Sequence, residues 1–130
     1  MRRHIAATAL AALVLATGAH AAQPKSTGDE CERPDLAQVE MNACAAQAFD
    51  KADHELNTAY ARLVKQEDAE SVRQLQAAQR AWLQFRDLEC VFETPDAEGS
   101  LGPFETASCK ADLTKARTLG LKRLLRDQVH

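Results

Sequence analysis

The chain has no run of alternating apolar and polar residues, so no strand pattern, and it contains no internal repeat. Close cysteine pairs of the CxxC kind are missing. The four cysteines, Cys31, Cys44, Cys90 and Cys109, stand 13, 46 and 19 residues apart. That spacing argues against a zinc site, which usually draws on close pairs. There is no glycine-rich loop to cradle a phosphate, and no serine with an obvious histidine and aspartate constellation. Aromatic residues make up only 5% of the chain, with a single tryptophan, Trp82. Asp53 and Glu55 stand two apart on a predicted helix and so do not face each other as paired carboxylates. His54, next to the inward-facing Asp53 and off the apolar stripe, reads as a surface residue. These absences leave no support for an enzyme, and they imply neither metal nor cofactor.

What is present begins with an export signal. Arg2 and Arg3 precede an apolar run from Ile5 to Ala16, and Ala19-His20-Ala21 supplies a small-residue cleavage site. Cleavage is therefore expected after Ala21, giving a periplasmic or secreted product. The apolar run is too short for a transmembrane helix, and no later segment is long and apolar enough to span. Polar Gly28-Asp29-Glu30 before Cys31 argues against a lipoprotein. Residues 1–21 are thus read as signal peptide, 22–33 as a loose N-terminal arm and 34–130 as one domain. With Arg2 and Arg3 removed, 14 basic residues face 19 acidic ones. An acidic exported protein suits a basic partner better than nucleic acid or anionic lipid. An even cysteine count in a small exported chain implies two disulfides, worth about 2–4 kcal/mol each.

The domain reads as three helices. Pro34-Asp35, with Gln38 three residues on, predicts the first helix start, and no glycine or proline follows until beyond Gln66. Phe49, Asp53, Leu56, Tyr60 and Leu63 share one helical face, and Met41, Ala45, Ala48 and Ala52 extend it with small residues. Glu67–Glu70 is acidic and holds the boundary. The second helix is expected from about Ser71 to Glu93. It carries Leu75, Gln79, Trp82 and Arg86 on one stripe, with Ala78, Trp82 and Phe85 on an overlapping one. Thr94–Pro103 is dense in turn residues and is the clearest loop. The third helix runs from about Phe104 to Asp127, with Leu113, Arg117, Gly120 and Leu124 as its stripe and Leu121 and Leu125 flanking. Gly120 inside it costs about 1 kcal/mol against alanine and marks close packing or a kink.

The fold expected is all-α, an antiparallel three-helix up-down-up bundle stabilised by two disulfides. That topology brings Cys44, Cys90 and Cys109 to one pole. Cys90–Cys109 across the second hairpin, leaving Cys31–Cys44, is favoured. Cys44–Cys90 with Cys31–Cys109 is the competitor, which sequence leaves open.

Two groups of residues are candidates for function. Asp53, Gln79, Arg86 and Arg117 are polar residues on apolar stripes, with Asn57 and Asp87 beside them. The bland reading is a structural network that sets helix register, for instance Asp53 with Arg86 or Arg117. The loop carries Glu93, Asp96, Glu98 and Ser100 at an end fixed by a disulfide, where binding residues often sit.

Glu40-Met41-Asn42-x-Cys44 opens an ordered set of motifs. Ala52-Asp53-x-x-Leu56-Asn57-x-x-Tyr60 follows, then Ala78-Gln79-Arg80-Ala81-Trp82-Leu83-x-Phe85-Arg86-Asp87-x-x-Cys90. Gly99-Ser100, Cys109 and Thr114-x-x-Arg117 complete it. In that order the chain, from Cys31 to about Leu125, resembles the LprI-type lysozyme-inhibitor domain. The resemblance implies an exported, disulfide-bonded helical domain and inhibition of lysozyme, with the motif residues serving as core and scaffold. Animal lysozyme is cationic and hydrolyses through two carboxylates in a cleft; the turn-rich, acidic composition of the loop beside the expected disulfide leads us to expect that it approaches and occludes that cleft. The alternative from another class is a periplasmic binding or structural module for an envelope partner, with no action on lysozyme.

Overall fold

The computed structural model describes residues 28–127, so the expected signal peptide, its expected cleavage site and the first part of the expected arm lie outside the described residues. A 3-10 turn, Gly28–Glu32, leads into three α-helices: α1 Gln38–Gln66, α2 Ala69–Glu93 and α3 Gly102–Asp127. Among the described residues there is no strand. The architecture is the expected all-α up-down-up bundle with two disulfides.

The start of α1 differs from the sequence expectation. Its N-cap is Ala37, not Asp35. Alanine has no side-chain acceptor, so the N-terminus is closed from within the helix. The Glu40 carboxylate accepts the Ala37 backbone N–H at 2.8 Å and Arg33 at 2.6 Å. The break between α1 and α2 uses neither glycine nor proline. Glu67 turns to extended backbone, and Asp68 caps α2 by accepting the N–H groups of Glu70 and Ser71 at 2.8 and 3.0 Å.

Helix α1 lies closely along α3, whereas α2 approaches α3 more sparsely and hardly meets α1 at backbone level. Side-chain size explains the difference. Helix α1 buries Ala45, Ala52 and Ala59, seven residues apart, and α3 buries Ala111, Thr114 and Thr118. Small residues let two helices come close. Below them Leu56, Ala59, Leu63, Leu121 and Leu125 form the apolar core, with Tyr60, Leu75 and Trp82 packed against it. Full burial of each leucine contributes about 1.5–3 kcal/mol.

The buried stripe of α3 is therefore Ala111, Thr114, Thr118, Leu121 and Leu125, not the one built on Leu113, Arg117, Gly120 and Leu124. Leu124 is exposed. The threonines can sit inside because the Thr118 hydroxyl donates to the Thr114 carbonyl at 2.8 Å within the helix. Gly120 marks no close contact: a Cβ there would meet only the Arg123 side chain, at 4.0 Å. Helix α3 runs through it unbroken.

The disulfides are Cys31–Cys44 and Cys90–Cys109, each with Cα atoms 5.7 Å apart. The first ties the 3-10 turn to α1, and the second joins the end of α2 to the start of α3.

Candidate functional site

The polar residues on the inner side of α2 form a layer between that helix and the close α1/α3 pair. Gln79 and Arg86 are buried. The long Arg86 side chain crosses to α1, where Nη1 lies 3.4 Å from Asp53 Oδ1 and 3.5 Å from the Thr114 hydroxyl of α3. On its own helix it reaches Asp87 at 3.1 Å. Its guanidinium stands over the rings of Phe49 and Trp82, at 5.1 and 5.4 Å from their centroids. Arg117 also lies 5.9 Å from the Trp82 ring centroid and donates to Gln79 Oε1 at 3.2 Å. Trp82 is thus half-buried beside two cations rather than at the centre of an apolar core.

The six polar residues singled out in the sequence therefore fall into two clusters around Trp82. Asp53, Asn57, Arg86 and Asp87 make the larger one, in which Asn57 donates to Asp53 at 2.9 Å. Gln79 and Arg117 make the smaller. No buried side-chain nitrogen or oxygen among the described residues lacks a partner. Asp87 also meets Lys110 at 3.5 Å. Partial burial pulls its carboxyl upward, but Arg86 and then Lys110 outweigh that and hold it below the ordinary value. His54 is exposed and lines only a shallow depression with Lys122 and Leu125. Among the described residues no three His, Cys, Asp or Glu side chains are grouped to hold a metal ion.

The loop between α2 and α3 is well fastened at its base. The Thr94 hydroxyl donates to the Cys90 carbonyl at 2.5 Å and meets Thr106 Oγ1 at 3.2 Å. Two successive turns follow, closed by Gly99 N–H on Asp96 O at 2.8 Å and Gly102 N–H on Gly99 O at 3.0 Å. At Gly102 a Cβ would lie 2.0 Å from the Ala97 carbonyl oxygen, so the loop folds back onto α3 only because no side chain is there. Pro103 follows in the first turn of α3, where its missing N–H costs nothing. Glu93, Asp96, Glu98 and Ser100 are all exposed around this anchored loop. Glu93, the last residue of α2, places a carboxylate oxygen 3.2 Å from Cys109 Sγ.

Sequence reasoning missed one feature beside the loop. Phe85, expected in the core with Ala78 and Trp82, is exposed, as are Ala78, Leu88, Val91 and Phe92. The signal was in the sequence: Ala81, Phe85, Leu88 and Phe92 follow at steps of four, three and four, opposite the stripe of Gln79, Trp82 and Arg86.

The sequence that builds this helical frame matches a known family. The family model described as lysozyme inhibitor LprI matches residues 29–121. The chain belongs to the LprI family. The match takes in the polar layer, all four cysteines and the acidic loop. Uncharacterized protein R02472 of Rhizobium meliloti (strain 1021) is 35% identical over 135 residues, covering 92% of this chain and 94% of the relative. Uncharacterized protein YecT of Escherichia coli (strain K12) is 32% identical over 98 residues, covering 63% of this chain and 60% of the relative. No solved structure matches the chain. Among the described residues no helix is long and apolar enough to cross a membrane.

Proposed function

We propose that this LprI-family protein is exported, with cleavage after Ala21, and inhibits lysozyme in the periplasm or outside the cell by occluding the active-site cleft. The loop residues Glu93, Asp96, Glu98 and Ser100 approach the cleft. The observation that carries the reading is the family match over residues 29–121. The loop adds physical support. It is acidic, exposed and held at both ends by Cys90–Cys109, Thr94 and Gly102, so little order is lost when it docks. Its charge, opposite to that of a cationic enzyme, speeds encounter.

The test is lysis of a peptidoglycan suspension by C-type lysozyme while the oxidised protein is titrated in. Inhibition that completes near an equimolar ratio and survives moderate salt is the expected result. The triple variant Asp96→Asn, Glu98→Gln, Ser100→Ala weakens inhibition with helicity and disulfides intact. Unchanged inhibition in that variant removes the loop from the interface. No inhibition by the unmodified protein removes lysozyme, and capture of an envelope protein would then point to a binding module.

A further inference from the structure

Helix α2 buries polar side chains beside its core contacts Leu75 and Trp82, and over its second half it turns several large apolar side chains outward. Gln79, Arg86 and Cys90 are its buried residues. On the opposite face Phe85 is 49% exposed, Leu88 70%, Val91 67% and Phe92 80%. With Ala81, which is also exposed, these side chains make one apolar stripe along the second half of α2. The other exposed large apolar residues of the helices, Val39, Leu119 and Leu124, stand singly. A contiguous apolar face of this kind marks a binding surface, whereas scattered ones need no explanation.

The surroundings of the stripe select its occupant. From Asp87 to Cys109 the chain has six acidic residues, Asp87, Glu89, Glu93, Asp96, Glu98 and Glu105, and no lysine or arginine. Glu89 and Glu93 flank the stripe on α2, and Asp96 and Glu98 continue it into the anchored loop. Arg80 on α2 and Lys110, paired with Asp87 at 3.5 Å, are the cations at its edge, so the rim is mainly acidic. An apolar centre with a charged rim is the anatomy of a protein–protein interface, and aromatic residues such as Phe85 and Phe92 are its common anchors. The acidic rim repels anionic lipid head groups, and a second copy of this chain returns the same net negative charge.

We propose that the outward face of α2, Ala81, Phe85, Leu88, Val91 and Phe92, is the main docking surface of this protein. Its occupant is a cationic protein whose contact patch has an apolar centre ringed by lysine and arginine. Resting on the lysozyme reading, that occupant is lysozyme. The face then supplies the adhesion, and the acidic loop at its end reaches the cleft.

The experiment uses the oxidised full chain, the lysis titration and surface-based binding kinetics with C-type lysozyme. The double variant Leu88→Gln, Phe92→Gln keeps helicity and thermal midpoint, because both side chains are exposed. Its dissociation is at least about tenfold faster, and inhibition weakens in proportion. The variant Glu89→Gln, Glu93→Gln instead slows association and flattens its salt dependence. If the unmodified protein inhibits and Leu88→Gln, Phe92→Gln inhibits equally, the docking face is overturned and the lysozyme reading stands. If the unmodified protein neither binds nor inhibits, the lysozyme reading fails and this occupant fails with it. Sedimentation showing a dimer that the double variant dissolves assigns the face to a second copy and overturns the proposal. Flotation with phosphatidylglycerol vesicles that the double variant abolishes overturns it in favour of a lipid surface.

Discussion

Replacing Arg86 separates two accounts of the polar layer. If the layer holds the bundle through the Asp53–Arg86 ion pair, loss of either partner costs the same. The geometry argues otherwise. The Arg86 side chain is 9% exposed, but those of its carboxylate partners Asp53 and Asp87 are 38% and 52% exposed. Water screens both pairs, so each contributes only about 0.5–1 kcal/mol. The two ring contacts, to Phe49 and Trp82, contribute about 0.5–2 kcal/mol each in this half-desolvated setting. The apolar stem of Arg86 also fills the space between α2 and the α1/α3 pair. Arg86→Ala is therefore expected to cost about 3–4 kcal/mol, a fall of roughly 15 °C in Tm for a domain of this size. Asp53→Asn leaves Arg86 with Asp87, Thr114 and both rings, and costs about 1 kcal/mol or less. Guanidinium denaturation of both variants and of the double variant measures these costs and their coupling, which is expected to be under about 1 kcal/mol. Equal losses for the two single variants, or a loss below about 1 kcal/mol for Arg86→Ala, would refute the reasoning.

Gly102→Ala tests the base of the loop. Its Cβ meets backbone rather than a movable side chain. A loss of about 1–3 kcal/mol is expected by thermal melting, with weakened lysozyme inhibition because the loop is displaced; an unchanged melt refutes the close approach. Acid sensitivity is expected from the carboxylates whose folded values are lowered. Asp87 is held down by Arg86 and Lys110 against its partial burial. Asp68 is held down by the Ser71 N–H and hydroxyl and the Glu70 N–H. A lowered folded value gives stability that is fully present above the ordinary value of 3.8 and lost as pH falls through the folded one. Melting temperature should hold between about pH 5 and 7 and drop below about pH 4, less steeply in Asp87→Asn; a midpoint that rises on acidification contradicts the assignment.

The number, order and approximate ends of the helices were legible because turn chemistry stands only where the chain turns at Thr94–Gly102, and Asp68 supplies a cap at the other break. Faces were less legible, for two physical reasons. The buried threonines have partners, the Thr118 hydroxyl bonding within α3 and the Thr114 hydroxyl accepting from Arg86, so both read as polar while acting as core. That moved the inferred α3 stripe onto its neighbours. Phe85 carries large apolar surface and sits next to Arg86, so periodicity assigned it to the core. The core instead takes Arg86, whose charge is satisfied by Asp53, Asp87 and Thr114. The α1 cap at Ala37 was illegible for another reason: the acceptor is Glu40, one turn inside the helix, and the capping position itself carries no signal.

The outward apolar stripe of α2 links the fold to the proposed function. Alanine and threonine bring α1 and α3 together without help from α2, so the apolar core is mostly built from two helices. Helix α2 is fastened to that pair by Cys90–Cys109, by Trp82 and by arginines that span the gap. None of those fastenings uses Phe85, Leu88, Val91 or Phe92. Leu88, Val91 and Phe92 are two-thirds or more exposed, so they add little packing energy and carry an aggregation liability in water. On the proposed reading, this largely exposed apolar face and the anchored acidic loop beside it are the two surfaces that meet another molecule.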